Sequence, residues 1–334
     1  MQIATQQSLH GQLVERRSRL RDALTAEEDD ESLVRLLGMV DAALARFDRD
    51  EFGRCLICRE LVHEADLERN PLLEYCLCDF TPQQQQALQH DLNLARRLQG
   101  GLLPDPNIRA CGWQVHYHYE PSGFVGGDYC DVRVEPCDSG TMFFTIADVS
   151  GKGVAASLLM AHLQSAFRSR LGSGMTLPKL VQSVNLQMLE ANISTHYATV
   201  ACGQATSDGQ IEIVNAGHCP LLVVRRSGVE TIGSTGIPVG FLKDAEYQST
   251  KLHLAEGDTL ILYTDGLTEA SIGDDEEYGA ERLRSVLARD GTADPRGIVQ
   301  AIRADVAAFL REKNLVDDLT VMAVKRDVIA RRSP

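Results

Sequence analysis

The polar and apolar positions change period along the chain. From Trp113 onward, Trp113, Val115, Tyr117 and Tyr119 alternate with Gln114, His116 and His118, the two-residue period of a half-buried strand. The runs Met142-Phe143-Phe144-Thr145-Ile146 and Leu260-Ile261-Leu262-Tyr263-Thr264 are continuously bulky, as in strands covered on both faces. Further strands are predicted over 198–205, 211–214, 221–225, 248–254 and 259–263, and a last one begins at Leu319. Helical periods fall over 154–171, 177–193, 280–289 and 295–313. Many antiparallel strands with helices segregated between them make an α+β protein, an antiparallel β-sandwich flanked by helices.

The first third follows a helical period instead. Leu9, Leu13, Leu20 and Leu24 mark one face, interrupted by Arg16 and Arg17. After the acidic stretch 27–31, Leu33, Leu37, Val40, Leu44 and Phe47 recur at three- and four-residue steps, which predicts an antiparallel helical hairpin, or two helices packed on something else. Thr81-Pro82 then suits a helix start, threonine as cap and proline in the first turn. Leu88, Leu92, Ala95 and Leu102 follow, with Leu94 and Leu98 beside them, before Gly100-Gly101 and Pro104 end or kink the helix. That spacing reads either as a short coiled-coil seam joining two copies or as a helix docked on its own domain. The expected organisation is a hairpin module over 1–80, a connector over 81–104, a sandwich domain over 105–327 and a tail over 328–334.

Composition narrows the class. A chain of 334 residues holds about two domains. The net charge of −14 argues against direct nucleic-acid binding and suits a holder of divalent cations. No apolar run reaches membrane-spanning length, and no basic segment followed by an apolar core opens the chain, so a cytoplasmic protein without a membrane partner is expected. Nine cysteines, an odd number, do not form the framework of a secreted disulfide scaffold.

Four of those cysteines are clustered. Cys55 and Cys58 are followed, after seventeen intervening residues, by Cys76 and Cys78, a spacing that can close a tetrahedral structural Zn2+ site or leave four cytosolic thiols. With Phe52-Gly53-Arg54 before the first pair and Leu67-Glu68-Arg69-Asn70-Pro71 before the second, the segment resembles the zinc finger of the DksA/TraR family. That family places two residues between its final cysteines. Here Cys78 follows Cys76 after one and Asp79 holds the family position, so either supplies the fourth ligand, with thiolate the better match to zinc. Members of that family reach into RNA polymerase through a long coiled coil. The predicted hairpin helices have only about five turns, which suits a sensory or dimerising role better.

Acidic residues fall where the strong strands end. Gly126-Gly127-Asp128 lies about twenty residues before Ala147-Asp148-Val149-Ser150-Gly151-Lys152-Gly153; Asp265-Gly266 follows one apolar run, and Asp317-Asp318 opens the final strand. Aspartate commonly caps turns, and one Asp-Gly is ordinary. Acids at four strand ends make a poor core and a good site for hard cations. Hydrolysis of phosphate monoesters is among the slowest uncatalysed reactions, and two divalent ions about 4 Å apart can activate a water and clamp the phosphoryl oxygens. An all-oxygen donor set favours manganese or magnesium over zinc.

These blocks, with Leu102-Leu103-Pro104, Asn215-Ala216-Gly217-His218, Tyr263-Thr264-Asp265-Gly266 and Asp317-Asp318-Leu319-Thr320-Val321, resemble the metal-dependent PPM protein phosphatases of the SpoIIE/RsbU type, in family order. The resemblance implies a phosphoserine/phosphothreonine phosphatase with two Mn2+ or Mg2+. It implies that Asp148 bridges both ions with the Val149 carbonyl beside it, that Asp128 serves the first, and that Asp265 with Asp317 or Asp318 serves the second, Asp317 being favoured. Gly151 and Gly153 let the loop pass near the ions, while Asn215 and His218 are structural or substrate-proximal. By the same resemblance the substrate is a phosphorylated STAS-type anti-sigma-factor antagonist, and the N-terminal module regulates, with a homodimer through the connector. The competing expectation is a DksA-like RNA-polymerase-binding regulator whose phosphatase-like half is not catalytic.

Overall fold

The computed structural model describes residues 3–26, 31–49, 51–55, 61–73, 82–134, 140–191, 196–272, 276–311 and 315–327. The chain divides into two compact units, Met1–Asp91 and Leu92–Pro334.

In the first unit, α1 (Ile3–Ala26) and α2 (Glu31–Asp48) run antiparallel. The His10 ring meets Phe47 edge-on at 4.9 Å, and Arg17 lies 3.8 Å from Asp41. Leu9, Leu13 and Leu20 bury their side chains against Val40, Ala43 and Leu44, so the two apolar stripes read from the sequence close on each other. Phe52, Cys55, Val62 and Leu67, the last from the short helix α3 (Glu64–Arg69), complete this core. Cys55 is buried just before 56–60, and Arg54 bridges to Leu61 across that stretch. Cys58, Cys76, Cys78 and Asp79 lie outside the described residues.

Helix α4 (Pro82–Leu102) continues through Gly100-Gly101 and stops short of Pro104. The glycines expected to end or kink it are therefore carried within the helix, and the chain turns only ahead of the proline. Leu92, Ala95 and Leu102 are partly covered and Gln99 is buried, whereas Leu88, Leu94 and Leu98 stay exposed.

The second unit is a two-sheet sandwich covered by helices. One sheet has the order β3 (Tyr129–Val134), β4 (Thr141–Val149), β5 (Ala198–Thr206), β6 (Gln210–Ala216), β9 (Thr250–His253). The other runs β1 (Asn107–Ala110), β2 (Trp113–Glu120), β13 (Leu319–Arg326), β10 (Thr259–Tyr263), β7 (Leu221–Arg225), β8 (Gly228–Ile232). Neighbouring strands in both are antiparallel. The continuous apolar runs arise because both faces are used. On β10, Leu260 and Leu262 enter the core between the sheets while Ile261 and Tyr263 face the outer helices. On β4, Met142, Phe144 and Ile146 point inward, and Phe143 and Val149 pack outward. Trp113 sits in the inner core, and its indole N–H donates to the Thr206 carbonyl at 3.0 Å, linking the two sheets.

Helices α5 (Gly153–Arg168) and α6 (Leu177–Glu190) cover the first sheet. Helices α8 (Gly279–Asp290) and α9 (Pro295–Leu310) cover the second, which also carries the one-turn helix α7 (Asp265–Thr268) and a small hairpin of β11 (Ser271–Ile272) and β12 (Glu276–Glu277). No helix among the described residues is long and apolar enough to cross a membrane.

Candidate active site

The acidic blocks arrive at one end of the sandwich from both sheets. Asp128 precedes β3, Asp148 lies next to the end of β4, Asp265 opens α7 directly after β10, and Asp317-Asp318 leads into β13. Adjacent pairing of β10 with β13 brings the latter two together: Thr264 N–H donates to the Thr320 carbonyl at 3.0 Å, and Thr320 N–H donates to Thr264 Oγ1 at 2.9 Å. Both threonine hydroxyls then donate to Asp128 Oδ2, at 2.9 Å from Thr264 and 2.5 Å from Thr320. A buried carboxylate from one sheet is thus held by two hydroxyls of the other.

Asp317 and Asp318 are adjacent in sequence and differ in surroundings. Asp318 is buried and accepts from Gly127 N–H at 2.6 Å, from Ser122 N–H at 2.8 Å and from the Ser122 hydroxyl at 3.1 Å. Two backbone N–H groups and a hydroxyl occupy its oxygens, so it shapes the turn that carries Asp128. Asp317 is partly open and faces Lys152, whose Nζ lies 2.8 Å from Oδ2.

Electrostatics show how near the acids are to one another. Burial pushes the Asp148 carboxyl up to about 7, reinforced by Asp265, Asp317, Asp318 and Glu269. Burial and then Asp317 raise Asp265, partly offset by the Gly266 N–H and Lys152. Asp128 stands well above the usual carboxylate range through burial and the neighbouring Asp148, against the pull of the Thr320 and Thr264 hydroxyls. Among the described residues no group of three or more His, Cys, Asp or Glu side chains stands close enough together, as placed, to hold a metal ion. Carboxylates that repel one another are relieved by a hard cation, and the donors available are all oxygen.

The turns that carry the acids pack closely on one another. A Cβ on Gly127 would meet the Val149 carbonyl at 2.8 Å, and one on Gly266 would meet the Asp318 carbonyl at 2.1 Å. Only glycine lets these turns approach so closely. Gly151 and Gly153 both have positive φ, at 97° and 74°, and carry the loop from β4 into α5. The donor chemistry and these close turns fit magnesium or manganese, with Asp128, Asp148, Asp265, Asp317 and the Val149 carbonyl as the oxygens available.

Asn215 lies near the end of β6 and His218 in the turn that follows it. Asn215 Oδ1 accepts from His218 N–H at 2.8 Å, and its amide donates to the Cys219 carbonyl at 3.1 Å, so it closes this turn on itself. His218 is buried, its Nδ1 lies 2.8 Å from Thr199 Oγ1, and burial pulls its imidazole down to about 4. Thr199 pairs directly with Asp148 across β5 and β4. A neutral imidazole here supports β5, the strand paired beside Asp148.

Several contributors carried no assigned role in the sequence. Glu269, just after α7, joins the carboxylate group, and burial followed by Asp265 raises its carboxyl. Thr264 and Thr320 lay within the motif blocks, but only pairing across the sheet shows that both serve Asp128. Gln99 of α4 is buried, donates to the Gly126 carbonyl at 2.7 Å and accepts from Gly126 N–H at 3.1 Å. The only signal for it was a polar residue on the face defined by Leu92, Ala95 and Leu102.

Comparison with known proteins agrees with this arrangement. Residues 138–327, more than half of the chain, match the family described as Stage II sporulation protein E (SpoIIE). Protein IcfG of Synechocystis sp. is 27% identical over 266 residues, which is 71% of this chain and 42% of that protein. Phosphoserine phosphatase RsbP of Bacillus subtilis is 30% identical over 188 residues, 54% of this chain and 46% of RsbP. The chain therefore spans under half the length of both relatives. Among solved structures, the SiaA PP2C domain of Pseudomonas aeruginosa superposes with a TM-score of 0.64 at 19% identity, covering 73% of this chain and 98% of that domain. The sandwich with acids at one end is thus a PP2C-type phosphatase fold, and the chain belongs to the SpoIIE family.

Proposed function

We propose that the chain is a metal-dependent protein serine/threonine phosphatase that hydrolyses phosphoserine or phosphothreonine. The observation that carries this reading is the meeting of Asp128, Asp148, Asp265 and Asp317 at one sandwich end, where burial first, and then Asp265 and Asp317, raise Asp148 to about 7. Two Mn2+ or Mg2+ ions would supply the nucleophile by lowering the pKa of water, and charge to offset that developing on the phosphoryl oxygens. The chain's own groups do the rest. Asp148, between the other acids, would hold both ions with the Val149 carbonyl; Asp128 would serve one, and Asp265 with Asp317 the other. Thr264 and Thr320 fix the Asp128 carboxylate, and Asp318 fixes the glycine turn beside it.

The substrate would be a phosphorylated STAS-type anti-sigma-factor antagonist, a reading that rests on the motif resemblance; similarity to RsbP, a phosphoserine phosphatase, supports the phosphoserine part. A structural Zn2+ on Cys55, Cys58, Cys76 and Cys78 would staple the N-terminal unit, a reading that rests on their spacing. A homodimer through α4 is supported by Leu88, Leu94 and Leu98, which this helix leaves exposed; regulation by the N-terminal unit would rest on the motif resemblance alone.

The deciding experiment measures phosphate release from a phosphoserine-bearing STAS protein with Mn2+, for the wild type and Asp148→Asn. Metal-dependent release that falls at least about a hundred-fold in the variant is expected. A wild type that releases no phosphate with Mn2+, or when Mg2+ replaces it, or a variant of unchanged rate, overturns the assignment.

A further inference from the structure

The loop from β4 into α5 holds a cation that none of the roles above employs. Lys152 Nζ pairs with Asp317 Oδ2 at 2.8 Å and also donates to the Val316 carbonyl at 2.8 Å. These two contacts strap the loop to the turn before β13. The side chain is 54% exposed, so the strap is a surface contact on a long, flexible stem. Lys152 also sits at the N-cap of α5, a position its side chain does not cap. Asp265 and Glu269 both feel its charge.

Two demands meet at this residue. Asp317 cannot give the same oxygen to Lys152 and to a divalent cation. A phosphomonoester brings close to two negative charges to a rim already rich in carboxylates, and a nearby cation with three donors offsets them. The positive end of α5 lies beside the same lysine and favours an anion there.

We propose that Lys152 is a phosphate-binding residue of this site: Asp317 holds it as a tethered counter-ion, and a divalent cation on Asp317 releases it to the phosphoryl oxygens. The proposal rests on the phosphatase reading and adds a second use for the lysine. Before metal arrives, the amine neutralises Asp317 and steadies the turn. Once metal has taken Asp317, the stem is free to reach the incoming anion. Metal loading and phosphate recognition are then coupled through one side chain.

The test uses the full chain stripped with EDTA, with Mn2+ titrated calorimetrically into wild type, K152Q and K152R, and inorganic phosphate then titrated into each Mn2+-saturated protein. Thermal melts confirm that the variants are folded. K152Q should bind Mn2+ about two- to five-fold more tightly, since an exposed competing ion pair has been removed. It should bind phosphate about ten-fold more weakly, the loss of one charge-assisted hydrogen bond, while K152R keeps the phosphate affinity to within about three-fold by retaining the charge. Unchanged phosphate affinity in K152Q overturns the proposal, as does weaker Mn2+ binding. A wild type that binds no Mn2+ and hydrolyses no phosphoserine protein sinks the phosphatase reading and the proposal with it. A competent wild type with an indifferent K152Q sinks the lysine's role alone.

Discussion

Asp128 and Asp148 show why these acids behave differently from surface carboxylates. In protein stripped of metal, the Asp148 carboxyl is raised to about 7 from an ordinary value of 3.8, so between those values the folded chain keeps a proton that the unfolded chain has released. The stability this gives is fully present below the unfolded value and is lost as pH rises through about 7. The melting temperature of the stripped protein should therefore fall between about pH 4 and pH 7, and D148N should flatten that slope. Identical slopes in the two proteins would show that Asp148 does not drive it. Asp128 asks a different question, because two hydroxyls aim it. Thr264→Val and Thr320→Val each remove one donor to Oδ2 and should lower Mn2+ affinity or activity about 10- to 100-fold, as loss of a ligand's supporting partner does. Calorimetry and a phosphatase assay check this, and wild-type affinity in both variants would dismiss the hydroxyl clamp.

The strands and helices differ in how openly the sequence announces them. β7 and β10 were legible residue for residue, because strands buried on both faces must be apolar throughout. β1 and β8 were not, since both are edge strands, and Asn107-Ile108-Arg109-Ala110 and Gly228-Val229-Glu230-Thr231-Ile232 show little of the burial that marks an inner strand. The acids at strand ends could be read from their order, whereas the separate environments of Asp317 and Asp318 could not, because they depend on Ser122, Gly127 and Lys152 from distant segments. The same holds for α4, where leucines drew attention to a seam and the buried contact is an amide. Gln99→Ala leaves the Gly126 N–H and carbonyl without their partner and should destabilise the unit by about 1–3 kcal/mol. Chemical denaturation measures it; a change within about 0.5 kcal/mol, the range of ordinary surface substitutions, would mean the clamp contributes nothing.

For the whole molecule, ligand binding and folding are linked in the sandwich unit, since the acids that would hold Mn2+ come from both sheets. Mn2+ at about a hundred times its dissociation constant should stabilise the folded form by about 2.7 kcal/mol. The shift should appear in the calorimetric transition of the sandwich unit, and a melt insensitive to Mn2+ would argue against a preorganised site. A last consequence concerns the paired amide contact between Gln99 and Gly126. Successive helical residues are turned by about 100° and displaced by about 1.5 Å, so rolling α4 by a single position carries the carboxamide away from the backbone it grips. Donor and acceptor would let go together, and the peptide leading to Asp128 would register such a roll as a latch opening rather than as a gradual bend.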